Sequence, residues 1–283
     1  VWMWAWRHRE EVLNLCERVT GNRNHYGMLK PGGVRRDIAR NELPGIHEML
    51  KSLHQPLNLF VGTISDDPLI QARTKGIGTL SADQVRRFAA LGPTARASGV
   101  DIDVRRDHPH AAYGLVDWDV VLENGGDVFA KIMVRLREMF QSIRIIEQCL
   151  SYLDSHPGPV DARPKEVRPG EGIGLYEAPR GEVFHYIRSD GSNRPMRHKI
   201  RAPSYMNVPT NRESVIGETV ADATIILAAV DPCYCCTERM AVVVDPDTDQ
   251  VVVGGKDLLR LSREKTDRLR ADLKPQGPEF PGR

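Results

Sequence analysis

The sequence predicts a mainly helical protein in which long helices pack together and small β-hairpins are inserted. Apolar residues recur at steps of three and four through 126–154, which predicts a helix of about 28 residues and roughly 42 Å. Residues 2–20 show the same period. The run 182–188 fits a strand, and after the turn Asp190-Gly191 the run 197–201 can return beside it. The stripe of the long helix consists of Val128, Ile132, Leu136, Met139, Ile143, Ile146, Leu150 and Leu153.

Composition excludes several classes of protein. The chain has 283 residues, of which 41% are hydrophobic and 27% charged, so one large or two ordinary domains can bury a substantial core. The net charge of +1 implies no bulk attraction to nucleic acid. The chain has five cysteines, an odd number, and three of them fall within four residues, which argues against a secreted disulfide framework. No apolar run approaches the roughly 20 residues that span a bilayer, so any link to a membrane has to come through partners.

Local capping signals place further helix ends. Asp67 followed by proline predicts a helix start, and a capping box begins at Ser81, with Gly92 as the expected stop. A helix is predicted over 211–230, with Thr210 as its cap. Methionines within the long helix are expected to fill the core rather than to bind a metal.

The chain divides into three expected regions. Residues 1–155 form a helical region, and an opening on valine within an apolar helical pattern indicates that this region is truncated. A proline-rich linker begins 156–239, which holds a β-hairpin and the helix that carries the cysteine motif. The extension 240–283 is expected to contain a hairpin, a basic helix over 256–272 and a disordered end.

The cysteine-rich stretch DPCYCCTER is the densest chemical signal. Pro232 must stop the preceding helix, because proline lacks an N–H, so Cys233 opens a turn. Cys233 and Cys236 have C-x-x-C spacing and can point at one soft metal ion. Half a zinc site and a thiol redox pair are alternatives. A zinc site needs two more ligands, whereas Cys16 and Cys149 stand alone; a redox pair is expected between a strand and a helix start.

The stretch DPCYCCTERM resembles the C-terminal motif of [NiFe]-hydrogenase large subunits. Its arginine version is similar to the membrane-bound, energy-converting group, which includes formate hydrogenlyase and its archaeal and Ech-like relatives. The stretches TGNRNHY, PGGVRRDI and GPTARASGVDIDVRRDHPHAAY also resemble this family and its cousin, the quinone-site (49-kDa) subunit of respiratory complex I. The resemblance covers roughly residues 5–270, corresponds to about the C-terminal two-thirds of a large subunit, and implies the helical fold of both families.

The resemblance implies roles for the cysteines and for a second motif, EAPRG. Cys233 would be a terminal nickel ligand, and Cys236 would bridge nickel to an iron that carries CO and two CN⁻ groups. Cys235 matches no ligand position. Pro179 and Arg180 would lie over the open coordination position, with the guanidinium near bound hydrogen. A fixed cation there lowers the cost of charge changes and can orient a transferred proton.

Further residues take their roles from the same resemblance. Pro203 and Ser204 match the position that hydrogen-bonds a cyanide, and Asp231 would border the open site. A maturation endopeptidase would cut between Arg239 and Met240 once nickel chaperones have loaded the metal.

The activity that the resemblance implies is reversible H⁺ reduction and H₂ oxidation. Electrons would pass through an Fe–S cluster in a small partner subunit similar to the 20-kDa subunit of complex I, with membrane-arm subunits as further partners. The protein would be cytoplasmic and peripheral on the inner face of the cell membrane. No nucleic-acid partner is expected.

One observation keeps other functions open. Hydrogenase nickel has four cysteine ligands, two of them from an N-terminal C-x-x-C, and residues 1–230 contain no such pair. We expect those ligands on a segment that is lost or separately encoded. The alternatives are a metal-free, quinone-binding subunit like that of NADH:quinone oxidoreductase (complex I), and a non-catalytic or assembly fragment. The retained Cys233 and Cys236 favour the hydrogenase, because complex I has lost these cysteines.

Overall fold

The computed structural model describes residues 2–162, 166–237, 242–245 and 247–272, and its architecture is mainly α, as predicted. Its helices are α1 Trp2–Thr20, α2 Leu43–Asp66, α3 Pro68–Thr74, α4 Ala82–Phe88, α5 Gly92–Arg96, α6 Val104–Asp107, α7 Val128–Ser155, α8 Pro203–Asn207, α9 Asn211–Ser214, α10 Val220–Ala229, α11 Tyr234–Thr237 and α12 Gly255–Asp272. Its strands are β1 Leu29–Lys30, β2 Gly33–Val34, β3 Gly170–Ala178, β4 Gly181–Ser189, β5 Pro195–Arg201, β6 Val243–Val244 and β7 Val251–Val253. The chain forms two compact units, Val1–Pro232 and Cys233–Arg283.

The main core of the first unit lies between α2 and α7. Leu50, Leu53 and Phe60 of α2 are buried against Ile143 and Leu150 of α7, and apolar residues of α1 pack on the same cluster. Burying each such side chain stabilises the fold by roughly 1.5–3 kcal/mol. The helix predicted over 2–20 is confirmed, and α7 differs from its predicted bounds by only a residue or two at each end.

The apolar stripe of α7 is only partly covered. Met139, Ile146 and Leu153 are 38–41% exposed, so the prediction that the whole stripe packs against other helices is wrong for these residues. Met133 is buried as predicted, whereas Met139 is not core filler. Helical periodicity identifies the apolar face, but the packing of the neighbouring elements decides how much of that face is covered.

Two predicted helix ends are wrong. The capping box at Ser81 is confirmed, but α4 ends at Phe88, where Ala89 adopts a left-handed φ of 51°, and Gly92 begins the next helix. The predicted helix 211–230 is divided into α9 and α10 by a turn that contains Gly217, with a φ of 87°.

A second correction concerns the cap of that divided helix. Thr210 makes no side-chain capping bond, and Thr219 instead caps α10 by accepting a hydrogen bond from the N–H of Asp222. Threonine is a good cap at either position, so composition alone could not separate them.

A three-stranded antiparallel sheet carries the EAPRG motif. The strand order is β3-β4-β5, and the predicted pairing of 182–188 with 197–201 is confirmed. Sequence analysis missed β3, because its glycines at 170, 172 and 174 weaken the strand pattern. Ala178 pairs with Gly181, so Pro179 and Arg180 form the two-residue turn between β3 and β4.

The second unit contains α11, the hairpin β6-β7 and α12, and both the hairpin and the basic helix agree with the sequence prediction. The expected disordered end lies outside the described residues. Among the described helices, none combines the length and the apolar character needed to cross a membrane.

Candidate functional site

The turn that presents Arg180 is held against the start of α5 by two glycines. A Cβ on Gly92 would lie 2.5 Å from the carbonyl oxygen of Arg180, and a Cβ on Gly181 would lie 2.7 Å from the amide nitrogen of Gly92. Their φ values of 62° and 125° also favour glycine. The backbones therefore approach more closely than any side chain would allow, which fixes the base of the Arg180 turn.

Asn207 joins the same two segments with its side chain. Its amide nitrogen donates to the carbonyl of Arg180 at 3.0 Å, and its amide oxygen accepts from the N–H of Leu91 at 2.8 Å. Asn207 is 1% exposed. Each hydrogen bond would leave a buried polar group unsatisfied if Asn207 were removed, at a cost of roughly 1–3 kcal/mol. Asn207, the last residue of α8, therefore holds the Arg180 turn in place.

Arg180 and Asp231 form a two-point contact. Arg180 Nε donates to the Asp231 carbonyl oxygen at 2.5 Å, and Nη2 donates to the carboxylate oxygen Oδ1 at 3.0 Å. Asp231 follows α10 and adopts a left-handed φ of 53°, which turns its carbonyl and carboxylate towards the guanidinium. Both side chains remain partly exposed, at 33% and 43%. The motif resemblance predicts that both residues border one site, and the structure brings them together.

Arg135 of α7 is a third charged residue of this region, and sequence analysis missed it. Its Nη1 donates to the carbonyl of Lys131 at 2.9 Å, and its Nε is buried without a hydrogen-bond partner among the described residues. Burial lowers the pKa of Arg135, while Asp231 and Glu138 oppose that shift. A single arginine within an amphipathic helix gives no sequence signal that it belongs to this region.

A buried ionic cluster supports the EAPRG motif from behind. Arg96 is 1% exposed, and its Nη1 lies 3.1 Å from Asp103 Oδ2 and 2.9 Å from Glu177 Oε1. Arg96 Nε lies 2.8 Å from Glu138 Oε1, but the angle is not that of a hydrogen bond, so these groups interact as an ion pair. Because Glu177 precedes Arg180 by three residues, this cluster anchors the end of β3.

The pKa values of Glu177 and of Arg105, which pairs with Asp103, are both raised, for different reasons. Burial raises the pKa of Glu177, and Arg96 partly offsets that shift. Burial opposes the charge of Arg105, yet the hydrogen bond with Asp103 raises the pKa of Arg105 overall.

Pro203 and Ser204 begin α8, the helix that ends at Asn207. Both side chains are buried, and Ser204 is 1% exposed. Pro203 occupies the first helical position, where its missing N–H costs nothing. The structure thus places these two predicted residues on the helix that holds the Arg180 turn. Their expected contact with a cyanide group stays a prediction.

The C-x-x-C motif belongs to the second unit. Cys236 Sγ lies 2.8 Å from Cys233 Sγ, and the N–H of Cys236 donates to the carbonyl of Cys233 at 3.0 Å in the turn that leads into α11. No disulfide forms among the described cysteines, and Cys235 is exposed. Two thiolates bound to one ion at about 2.3 Å lie about 3.3 Å or more apart, so a small side-chain rotation would suit a shared ion.

Some expectations remain outside the structure or differ from it. Arg239 and Met240 lie outside the described residues, so the proposed cleavage position is not located. Cys149 is half-buried, and burial raises the pKa of its thiol. Glycine pairs and buried ion clusters such as those around Gly92 and Arg96 have no sequence signature, because they depend on contacts between distant segments.

Comparison with known proteins identifies the family. Residues 1–170 and 161–239 match the family described as "Respiratory-chain NADH dehydrogenase, 49 Kd subunit". The chain is 35% identical over 287 residues to membrane-bound hydrogenase subunit alpha of Pyrococcus furiosus, covering 95% of this chain and 66% of that protein. It is 34% identical over 263 residues to formate hydrogenlyase subunit 5 of Escherichia coli, covering 93% and 46%.

A third relative represents the quinone-linked branch. NADH-quinone oxidoreductase subunit 4 of Thermus thermophilus is 34% identical over 257 residues, covering 81% of this chain and 62% of the relative. The chain thus spans between 46% and 66% of the length of these three curated relatives. On the family match and these similarities, the chain belongs to the family of the 49-kDa subunit of respiratory-chain NADH dehydrogenase.

Proposed function

We propose that this chain is the C-terminal portion of the catalytic large subunit of a membrane-bound [NiFe] hydrogenase, acting in reversible H⁺ reduction and H₂ oxidation. The observation that carries the proposal is the pairing of Cys233 and Cys236, whose sulfur atoms lie 2.8 Å apart. Relatives named as hydrogenase and formate hydrogenlyase subunits support it. In more general terms, the proposal assigns the chain a role as an oxidoreductase subunit.

The donor set fits the nickel–iron group in part. Thiolates are ligands for soft or borderline metals, and Cys233 and Cys236 supply two of them. No group of three or more His, Cys, Asp or Glu side chains in the described ranges is arranged to hold a metal ion. The two remaining cysteine ligands would therefore come from a segment outside this sequence, and the bound group would supply the heterolytic cleavage or formation of H₂.

The chain's own residues would bind, orient and handle the proton. Arg180 keeps its charge at any physiological pH, so it would orient and stabilise rather than give up a proton. Its two bonds to Asp231, one to the carbonyl and one to the carboxylate, fix the orientation of the guanidinium. A thiolate sulfur of Cys233 or Cys236 would hold the proton.

Assembly follows from the same proposal. Electrons would leave through an Fe–S partner subunit, and membrane-arm subunits would hold the complex at the cytoplasmic face of the cell membrane. Nickel chaperones and an endopeptidase that cuts between Arg239 and Met240 would complete maturation. Pro179, Pro203 and Ser204 would line the metal group.

A quinone-binding, metal-free subunit is the second candidate. The family match itself is to the 49-kDa subunit, and the relative from Thermus thermophilus is named as a subunit of NADH-quinone oxidoreductase. This candidate requires no metal on Cys233 or Cys236. Metal content therefore separates the two candidates.

The test is intact mass together with nickel and iron content of the complex purified from its native host. The hydrogenase proposal expects about one nickel per chain and a mass loss that matches removal of 240–283. The variant Cys233→Ser should lose the nickel, whereas Cys149→Ser should keep it. A full-length chain without nickel, in a complex that reduces quinones, would establish the second candidate; absence of both activities would leave a non-catalytic or assembly fragment.

A further inference from the structure

A pair of histidines lies on the three-stranded sheet, away from the Arg180 turn. His185 of β4 and His198 of β5 are diagonal neighbours, because His185 is paired with Ile200 and His198 with Ile187. His185 Nδ1 and His198 Nε2 are 2.9 Å apart. The ring centroids are 5.1 Å apart, with a tilt of 38° between the planes. One ring nitrogen therefore donates to the other across the two strands.

The nitrogen separation suits two ligands of one metal ion. Imidazole nitrogens bind first-row ions at about 2.0–2.1 Å, so two nitrogens at a right angle around one ion are about 2.9 Å apart, and two at the tetrahedral angle about 3.3 Å apart. The observed 2.9 Å matches the right angle. Right-angled nitrogen ligands are typical of square-planar or tetragonal Cu²⁺ and Ni²⁺.

The sheet beside the pair is open. Gly174 of β3 is the partner of His185, and a Cβ on Gly174 or on its neighbour Gly172 would meet nothing within 4 Å. The side chains of these glycines would lie on the same face as His185, since alternate residues of a strand share a face. An ion on the two nitrogens would therefore keep room for water or for a ligand from another molecule.

We propose that His185 and His198 form a two-histidine surface site for a tetragonal divalent transition-metal ion, Ni²⁺ or Cu²⁺. On binding, the proton shared by the two nitrogens moves through solvent to the other nitrogen of its own ring, so both nitrogens present lone pairs and no net charge is lost. Since only two protein ligands take part, the other positions stay exchangeable. The site does not depend on the C-x-x-C motif.

The test is titration of the full-length chain with Ni²⁺ in a background in which Cys233, Cys235 and Cys236 are serine. One equivalent should bind, and His185→Ala and His198→Ala should each weaken binding by about 100-fold, because the sheet presents the second imidazole at high effective concentration. His156→Ala is the matched control: His156 is an exposed histidine that stacks on Tyr152 and should leave Ni²⁺ binding unchanged. Circular dichroism reports whether each variant is folded.

Electron paramagnetic resonance of the Cu²⁺ complex gives an independent readout. Hyperfine coupling to two imidazole nitrogens is expected, and to fewer than two in either single variant. Cu²⁺ should bind more tightly than Ni²⁺ or Zn²⁺. Equal Ni²⁺ binding by the parent and by folded His185→Ala or His198→Ala protein would overturn the site, as would one-nitrogen coupling in the parent. Neither outcome bears on the nickel content of the native complex, so this proposal and the hydrogenase proposal fail separately.

Discussion

Arg180 binds Asp231 at two points, through the main-chain carbonyl and through the carboxylate. The two acceptors lie on one residue, and the planar guanidinium reaches both with Nε and Nη2. A lysine ammonium is a point charge on a flexible stem and cannot reproduce this fork. The contact therefore fixes the orientation of the cation as well as its position.

Arg180→Lys should preserve the charge and reduce H₂-dependent dye reduction by the native complex by roughly 10²- to 10³-fold, the range seen when a preorganised donor is lost. Nickel content of the purified complex should stay the same. Arg188→Lys, which changes an exposed arginine of β4, is the matched control and should retain activity. Wild-type rates in Arg180→Lys would show that the fork has no catalytic role.

Gly92→Ala should destabilise the fold by about 2–4 kcal/mol, because alanine at φ 62° is strained and its Cβ would meet the Arg180 carbonyl oxygen at 2.5 Å. Gly62→Ala is the control, since Gly62 lies within α2 and its Cβ would meet nothing within 4 Å. That change should stabilise by about 0.5–1 kcal/mol. Urea unfolding of the full chain measures both, and equal effects would contradict the close-packed turn.

Arg96→Leu should destabilise the chain by about 3–5 kcal/mol, because it removes the cation that the buried carboxylates of Asp103 and Glu177 share with the partly buried Glu138. Arg86→Leu removes an exposed pair with Asp83 and should change the unfolding free energy by less than about 1 kcal/mol. The comparison uses the same urea midpoint and slope. A small effect in Arg96→Leu would mean that the carboxylates find other partners or protons.

Lys131→Met should change how stability depends on pH. Lys131 is fully buried, and burial together with Arg135 lowers the pKa of Lys131 from 10.5 to about 8, although Asp127 opposes the shift. Between pH 8 and 10.5 the unfolded chain binds more protons at this residue than the native chain does. The unfolding free energy of the wild type therefore rises with pH in that window. Below it, the destabilisation caused by burying the charged Lys131 is constant.

The variant should accordingly be stabilised relative to the wild type by about 3 kcal/mol at pH 7 and by about 1.5 kcal/mol at pH 9.5, before a pH-independent loss. That loss is the hydrogen bond that Lys131 Nζ donates to the Gly78 carbonyl at 3.1 Å. Urea unfolding at the two pH values measures the difference. If the difference in unfolding free energy between wild type and variant does not change with pH, Lys131 has an ordinary pKa.

Local patterns were sufficient for much of the fold. The period of α7, the proline after Asp67, the capping box at Ser81 and the alternation of β4 each depend on neighbouring residues, so the sequence alone predicted them. Motif resemblance likewise predicted that Arg180 and Asp231 belong to one site, and the structure shows their contact. Both kinds of signal lie within a few positions of the residues that they describe.

What the tertiary structure alone decided depends on contacts between residues far apart in the chain. The hydrogen bonds of Asn207 and the ion pairs of Arg96 join segments many positions apart, and the partial exposure of Met139 depends on which helices cover α7. The sequence thus determined the helical class and the family of this protein. Packing decided which charges are buried, which turns are held and where two histidines meet, because burial and backbone approach are properties of neighbours that sequence spacing does not encode.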